Sequence, residues 1–520
     1  MKLIKKIKLK NFKRFPSFSV ELDDKLNMFI GDNEAGKSSI LSAIDIVLSG
    51  SRNKVESIGL DSLFNSAVIS DFLKSDKKFN DLPSLYIELY LNEQGNSDLN
   101  GKFNSEGVTQ DGLTLICQPN DTLSKEIKEI LKQEESNFPF EFYSIIFKTF
   151  SGEGYTGYSK YLKHILIDNT QISNEYATKE YVKAMYNSHI QHAEKNKHLN
   201  EYRKYKDRFK DRVLSGLNNR IEDYEFTIRT SLKANLESDL TIAENDINIE
   251  HKGKGRQCFI KTEFALKKSD SNLDVILIEE PENHLSHINM KKLVNKISSS
   301  EERQLFISTH NDLISTRLDL RKAILLNSNN VTPVQLKSLP EPTAKFFIKA
   351  PDNNILEFIL SKKVILVEGD AEFILMDVFF QKVTKSKLED SDIHVISVGG
   401  TSFKRYLDLS ALLQIKTAVI RDNDGDYDAN CVANYSDYAK NNNVKIFSDN
   451  DILRKTFEIA LYQDNVSVCD NLFKSGRKKL TVQEYMLSNK ADAAFELLDK
   501  KGDTLTPPKY IEEAILWIKK

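Results

Sequence analysis

The segment Gly31-Asp-Asn-Glu-Ala-Gly36-Lys37-Ser38 limits what this chain can fold into more than any other feature. It follows an apolar run, Leu26 to Ile30. It precedes Ser39 to Leu48, where Ile40, Leu41, Ala43, Ile44, Val47 and Leu48 recur at the three- and four-residue steps of a buried helix face. Strand, glycine-bearing turn and helix in that order form a phosphate loop, in which backbone N–H groups at the helix start converge on phosphate oxygens. Asn33, Gly36, Lys37, Ser38 and Ser39 are therefore nucleotide-binding candidates. Lys37 would reach the β- and γ-phosphates, and the Ser38 hydroxyl would bind Mg²⁺. The fold class this implies is α/β.

Carboxylates are needed at the end of a neighbouring strand, and Leu273 to Glu279 supplies a continuous apolar strand of the kind buried in parallel sheets. It ends in Glu279-Glu280-Pro281-Glu282. Glu279 would assist Mg²⁺ through water and Glu280 would polarise the attacking water. A second such strand, Gln304 to Ser308, leads into Thr309-His310. His310 is a cofactor-binding candidate, with a satisfied core histidine as the plain alternative.

A second acidic pattern lies near the other end. Val364 to Val367 is an apolar strand delivering Glu368, with Gly369 and Glu372 just beyond, and Ala418 to Arg421 delivers Asp422-Asn-Asp424-Gly-Asp426. Parallel strands present their C-terminal ends along one sheet edge, so Glu368, Asp422 and Asp424 would converge there. Hard oxygen donors of this type suit Mg²⁺ or Mn²⁺. The Asp422–Asp426 stretch also partly matches a calcium loop, but its glycine comes one position early and Ala433 occupies the twelfth position. A solvated acidic turn is the plain reading.

The 520 residues exceed one ordinary core, so two or three domains are expected. A net charge of −3 means that DNA binding would rest on local basic patches or on metal ions facing phosphate. The four cysteines, Cys117, Cys258, Cys431 and Cys469, have neither a disulfide nor a zinc spacing. No apolar run is long enough to span a membrane, and the N-terminus does not read as a signal peptide, so a cytoplasmic location is expected. Between about 178 and 224, Tyr202, Tyr205, Phe209, Val213, Leu217 and Ile221 mark an amphipathic helical insert. It reads equally as an arm packed on its own domain and as a dimerisation hairpin. Pro333, Pro340, Pro342 and Pro351 mark the best domain boundary.

Taken together, Asn11-Phe12-Lys13-Arg14-Phe15, the phosphate loop, the Ile-Glu-Glu-Pro-Glu-Asn-His-Leu strand end and Ser308-Thr309-His310 resemble ABC-type ATPase heads of the RecF and SMC kind. In such heads two copies sandwich ATP, and a signature loop acts across the interface. The candidate here, Gly253-Lys-Gly255-Arg256-Gln257, departs from the usual form, which implies slow hydrolysis. Glu-Gly-x-x-Glu followed by Asp-x-Asp resembles the Toprim fold of topoisomerases, primases and nucleases. Topoisomerases add a separate tyrosine domain and primases a zinc module, so nuclease chemistry is the remaining expectation.

A head joined to a C-terminal Toprim domain is similar to the OLD (overcoming lysogenisation defect) nucleases, including those of the Gabija antiphage system. That resemblance implies an ABC-type head in two parts, 1–165 and 236–345, a helical insert over 166–235 and a Toprim domain over 355–520. It also implies a further metal-binding glutamate and a late lysine, for which Glu458 and Lys490 are closest. Each reads as well as a residue of a solvated surface. The implied activity is ATP-regulated, Mg²⁺- or Mn²⁺-dependent cleavage of DNA in phage defence or repair. Implied partners are DNA, ATP, further copies of the chain as a homodimer or higher homo-oligomer, and a second protein of the defence system. The rival is a non-nucleolytic ATPase that scaffolds DNA with a degenerate Toprim domain.

Overall fold

The computed structural model describes residues 1–520 apart from 134–136, 158–160, 173, 230–235, 268–272, 301–302, 328–329, 351–353, 401 and 476–478. Pro351 and the last residues of the expected insert, 230–235, thus lie outside the described residues. The chain divides into two compact units, Met1–His310 with Lys322–Pro333, and Asn311–Arg321 with Val334–Lys520.

In the first unit, the strands Ile4–Phe12, Phe15–Glu21, Leu85–Leu91, Gln110–Pro119 and Tyr143–Thr149 pair antiparallel. The stretch through Phe15 and Pro16, polar in sequence, opens a strand, Phe15–Glu21. Phe15, Phe18 and Val20 are buried in near alternation, and Pro16 is tolerated because the strand is at the sheet edge. A second sheet is built from parallel pairs in the order Ala323–Asn327, Leu26–Gly31, Gln304–Thr309, Val275–Glu279 and His164–Asp168. The helix Lys37–Ser49 touches strands of both sheets, with Ile40, Leu41, Ala43, Ile44, Ile46 and Val47 fully buried in the shared core.

The strand His164–Asp168 crosses position 165/166 and pairs with Val275–Glu279, so the sheet continues into the range expected as insert. The helix Glu175–His189 also belongs to the head's packing: the buried Tyr181 hydroxyl donates to Lys261 O at 2.6 Å. Beyond it, His192–Phe209 and Ser215–Asn218 continue as helix, and no residue of either is buried. Tyr205, Phe209, Val213 and Leu217 recur every four residues and all stand exposed.

The second unit holds four parallel strands in the order Ile393–Ser397, Lys363–Val367, Lys416–Ile420 and Val444–Phe447. Lys363–Val367 comes first in the chain but lies inside the sheet, so consecutive connections leave it in opposite directions. That reversal opens a crevice at the C-terminal ends of Lys363–Val367 and Lys416–Ile420. Helices Asp370–Thr384, Lys490–Lys501 and Lys509–Lys519 pack over a core that includes Ile365, Val367, Leu375, Phe379, Ala418 and Ile515. All four cysteines are buried and free. Among the described residues, no helix is long and apolar enough to cross a membrane.

Candidate functional sites

In the first unit, two glycines let the phosphate loop close. A Cβ on Gly31 would stand 2.2 Å from Leu326 O on the adjacent strand, and Gly36 turns the chain at φ 94°. Behind them Lys37 is buried, and its ammonium donates to Gly31 O at 2.6 Å and Asp32 O at 2.9 Å. Burial lowers its proton affinity, which Glu280, Asp32, Glu282 and Glu279 partly restore. These are neutral carbonyl acceptors, which a charged acceptor could displace.

The loop's partners stand at the C-terminal ends of neighbouring parallel strands. The Ser38 side chain lies near the Glu279 carboxylate and favours its charged form. Burial pushes Glu279 up, and Asp168 and Glu280 add to this. Asn283 donates to Glu280 Oε2 at 2.7 Å. Glu282 is buried, and burial raises its pKa; its Oε1 accepts from Thr309 Oγ1 at 2.7 Å and from the His310 N–H at 3.0 Å. His310 is half exposed, with Nδ1 3.5 Å from both Glu280 and Glu282. Asn33 lies exposed in the turn, and Ser39 follows Ser38 on the helix.

Sequence reasoning assigned no role to Asp168, Asn169 or Lys13. Asp168 pairs in register with Glu279, and the Asn169 N–H donates to Glu279 O at 3.3 Å. Burial lowers the Lys13 pKa, opposed by the Glu279 charge. The only sequence signal for Asp168 was a short apolar run ending in an acid, the same signal that singled out Glu279. The helix Lys254–Leu266 starts at Gly253, the expected signature segment, and its Arg256 pairs with Glu244.

In the second unit, the Asp422 N–H donates to Glu368 Oε2 at 3.5 Å, and Asp422 Oδ1 accepts the Phe457 N–H at 2.7 Å. Glu372 lies in the first turn of helix Asp370–Thr384 and Glu458 in that of helix Phe457–Asp464; with Asp422 they are all buried. Lys490 Nζ stands 3.0 Å from Glu458 Oε1. The structure therefore brings Glu368, Glu372, Asp422, Glu458 and Lys490 to one edge. Asp424 sits at the rim, half exposed at φ 50°, with its carboxylate 3.1 Å from the buried Arg421 guanidinium. Arg421 also donates to the Tyr435 hydroxyl at 3.2 Å. Sequence reasoning assigned no role to Arg421, Tyr435 or Tyr510. The buried Tyr510 has its pKa raised well above the ordinary value, by burial first and then by Asp422 and Glu372.

Charge accumulates at this edge. Burial pushes Asp422 up to about 7, with Glu368 and Glu458 adding to it. Burial pushes Glu372 up to about 8, with Asp422, Glu458 and Glu368 adding to it. Glu458 Oε2 is buried without a hydrogen-bond partner. Among the described residues no three or more His, Cys, Asp or Glu side chains are placed so that they could hold a metal ion as they stand. Mutually repelling carboxylates with an orphaned oxygen are nevertheless a donor set that fits a hard divalent cation.

Residues 359–424 match the family described as overcoming lysogenization defect protein-like, TOPRIM domain, and residues 1–201 match an AAA ATPase domain. Among solved structures, the chain is similar to the C-terminal region of the Burkholderia pseudomallei OLD protein. There the identity is 21% over 31% of this chain and 97% of that one, with a TM-score of 0.24. It is also similar to an SMC head domain from Thermotoga maritima, at 14% identity over 62% and 94% with a TM-score of 0.29. A structure of the recombination mediator protein RecF is similar at 11% identity over 64% and 98%, with a TM-score of 0.34. No functionally curated protein matches the chain.

Proposed function

We propose that this chain, which joins an AAA ATPase domain to an OLD-like Toprim domain, is a nucleotide-regulated, Mg²⁺-dependent DNA endonuclease. The observation that supports this best is the convergence of Glu368, Glu372, Asp422 and Glu458 with Lys490 at the C-terminal edge of a parallel sheet. Mg²⁺ or Mn²⁺ bound there would neutralise phosphate and promote attack by water on phosphorus. Glu368, Asp422 and Glu372 would hold the ion, with Glu458 completing the set and Asp424 joining from the rim. Lys490 would face the charge that builds on the non-bridging phosphate oxygens as the P–O bond breaks.

In the head, Lys37 and the N–H groups at the start of its helix would bind ATP phosphates, and Ser38 with Glu279 would hold the accompanying Mg²⁺. Glu280, steadied by Asn283 and facing His310, would orient the hydrolytic water. Nucleotide occupancy would regulate cutting. The exposed stripe Tyr205, Phe209, Val213 and Leu217 supports a second copy of the chain as a partner. Defence against phage or DNA repair is the biological role this reading favours, with a second defence protein as a further partner.

Plasmid cleavage tests the reading. Wild-type protein with Mg²⁺ or Mn²⁺ is expected to nick or linearise the plasmid, and Asp422→Ala is expected to abolish this. Equal cutting by Asp422→Ala would remove the assigned site, and no metal-dependent cutting by the wild type would leave a DNA-scaffolding ATPase.

A further inference from the structure

Close to the acidic edge, the chain makes a turn over Asp451–Arg454, closed by the Arg454 N–H on Asp451 O at 2.9 Å. Its two central residues are Ile452 and Leu453. Central turn positions favour Gly, Pro, Asn, Asp and Ser, and large aliphatic side chains there gain nothing unless they are buried. These are not: Ile452 is 57% exposed and Leu453 77%. Single aliphatic residues on a surface are ordinary. Two in succession at the tip of a turn ask for an account.

The turn is pinned. Asp449 Oδ1 accepts the Asp451 N–H at 3.0 Å, and Asp451 Oδ1 accepts the Leu453 N–H at 2.9 Å. The Arg454 guanidinium is held between Asp449 and Asp464, at 2.7 and 2.6 Å. The anchoring reaches the acidic residues themselves. Asn423, between Asp422 and Asp424, donates its side-chain amide to Asp449 O at 2.8 Å and to Asp451 O at 3.0 Å. On the other flank, the Asp424 N–H donates to Lys455 O at 3.1 Å. Two residues further, the Phe457 N–H binds Asp422. The aliphatic pair is therefore carried at a fixed offset from the carboxylates by the backbone that positions them.

We propose that Ile452 and Leu453 form a wedge that enters the base stack of duplex DNA beside the bond to be cut; this rests on the nuclease reading given above. Aliphatic side chains inserted at a base step unstack it and kink the duplex. An uncharged tip also approaches a polyanion without adding to the negative charge already present on Asp449, Asp451 and Asp464. A protein partner fits less well, because a stable protein interface buries about 800 Å² on each side and a two-residue tip offers far less. The wedge would bias the enzyme toward sites that are already bent, mismatched or unpaired, where unstacking costs least.

The test uses the full chain carrying Ile452→Ser and Leu453→Ser together, with a thermal midpoint to verify that these exposed changes leave the fold intact. Two substrates are compared under Mg²⁺: a fully paired duplex, and the same duplex with an unpaired bubble at the wild-type cut position. The double variant is expected to cut the paired duplex at least about tenfold more slowly and the bubble within about threefold of wild type, because the bubble supplies the unstacking. In an Asp422→Ala background, 2-aminopurine at the cut step should brighten on binding, and should not once the wedge is removed. Equal slowing on both substrates, or none on either, overturns the wedge while leaving the nuclease reading standing. Loss of self-association with unchanged cutting assigns the tip to protein contact and also overturns it. Wild type that cuts neither substrate and behaves like Asp422→Ala removes the nuclease reading and the wedge together.

Discussion

Lys490 Nζ lies 3.0 Å from Glu458 Oε1, a half-exposed cation set against a buried carboxylate whose second oxygen has no hydrogen-bond partner. The pair joins the starts of two helices, Phe457–Asp464 and Lys490–Lys501. Burial would lower the Lys490 pKa, but Glu458, Asp422 and Glu372 outweigh it and raise it. Lys490 is thus charged throughout the physiological range and faces the same carboxylates that would hold the metal.

Replacing Lys490 with Met should therefore slow phosphodiester cleavage by about 100-fold, the scale for losing one preorganised charge at a transition state. Lys490→Arg should recover part of the rate. Single-turnover nicking with saturating Mg²⁺ measures this, and a Met variant as fast as wild type would return Lys490 to the status of a surface lysine.

The raised pKa values at Asp422 and Glu372 predict a pH-dependent linkage between metal and stability. Both carboxyls bind protons more tightly in the folded than in the unfolded chain, so without metal their contribution is fully present below the ordinary carboxylate range. It is lost as pH rises through about 7 for Asp422 and about 8 for Glu372. Mg²⁺ competes with those protons. It should raise the thermal midpoint more at pH 8 than at pH 6, and chelation should cost most at pH 8. Glu372→Gln should stabilise the metal-free protein at pH 8 and shrink the Mg²⁺ effect. Melting curves with EDTA or Mg²⁺ at the two pH values decide the matter.

At the nucleotide site, Lys37→Ala should weaken ATP binding by about 10- to 100-fold, the scale of a lost charged hydrogen bond. Glu280→Gln should leave binding near wild type and lower ATP turnover by about 100-fold or more. Fluorescent-nucleotide titration and phosphate release separate the two effects. A Glu280→Gln protein that hydrolyses ATP at the wild-type rate would place the catalytic base elsewhere.

Gly31→Ala tests the architecture without reference to catalysis. Its Cβ would meet Leu326 O at 2.2 Å, against backbone that cannot rotate away. A loss of about 1–3 kcal/mol is expected, the usual scale of forced overpacking. Urea denaturation measures it, and unchanged stability would mean that the two strands separate easily.

What this sequence determined alone was whatever a few adjacent residues can specify. The turn at Gly36, the helix beginning at Lys37, and the apolar strands ending in Glu279, Glu368 and Asp422 are local, because steric freedom and two- or three-residue periodicity act over short distances. The strand Phe15–Glu21 was equally local in its alternation, yet Pro16 and the surrounding polar residues masked it. Tertiary structure alone decided which ends meet. Strand order set Lys363–Val367 beside Lys416–Ile420, and so Glu368 beside Asp422; it also set His164–Asp168 beside Val275–Glu279, and so Asp168 beside Glu279. It decided burial as well, placing Glu458 inside while its sequence read equally as a solvated helix face, and leaving Asp424 half exposed at the rim, paired with the buried Arg421. The physical reason is range. Conformational preference is written residue by residue, whereas desolvation and charge–charge coupling depend on groups brought together only when distant strands pair.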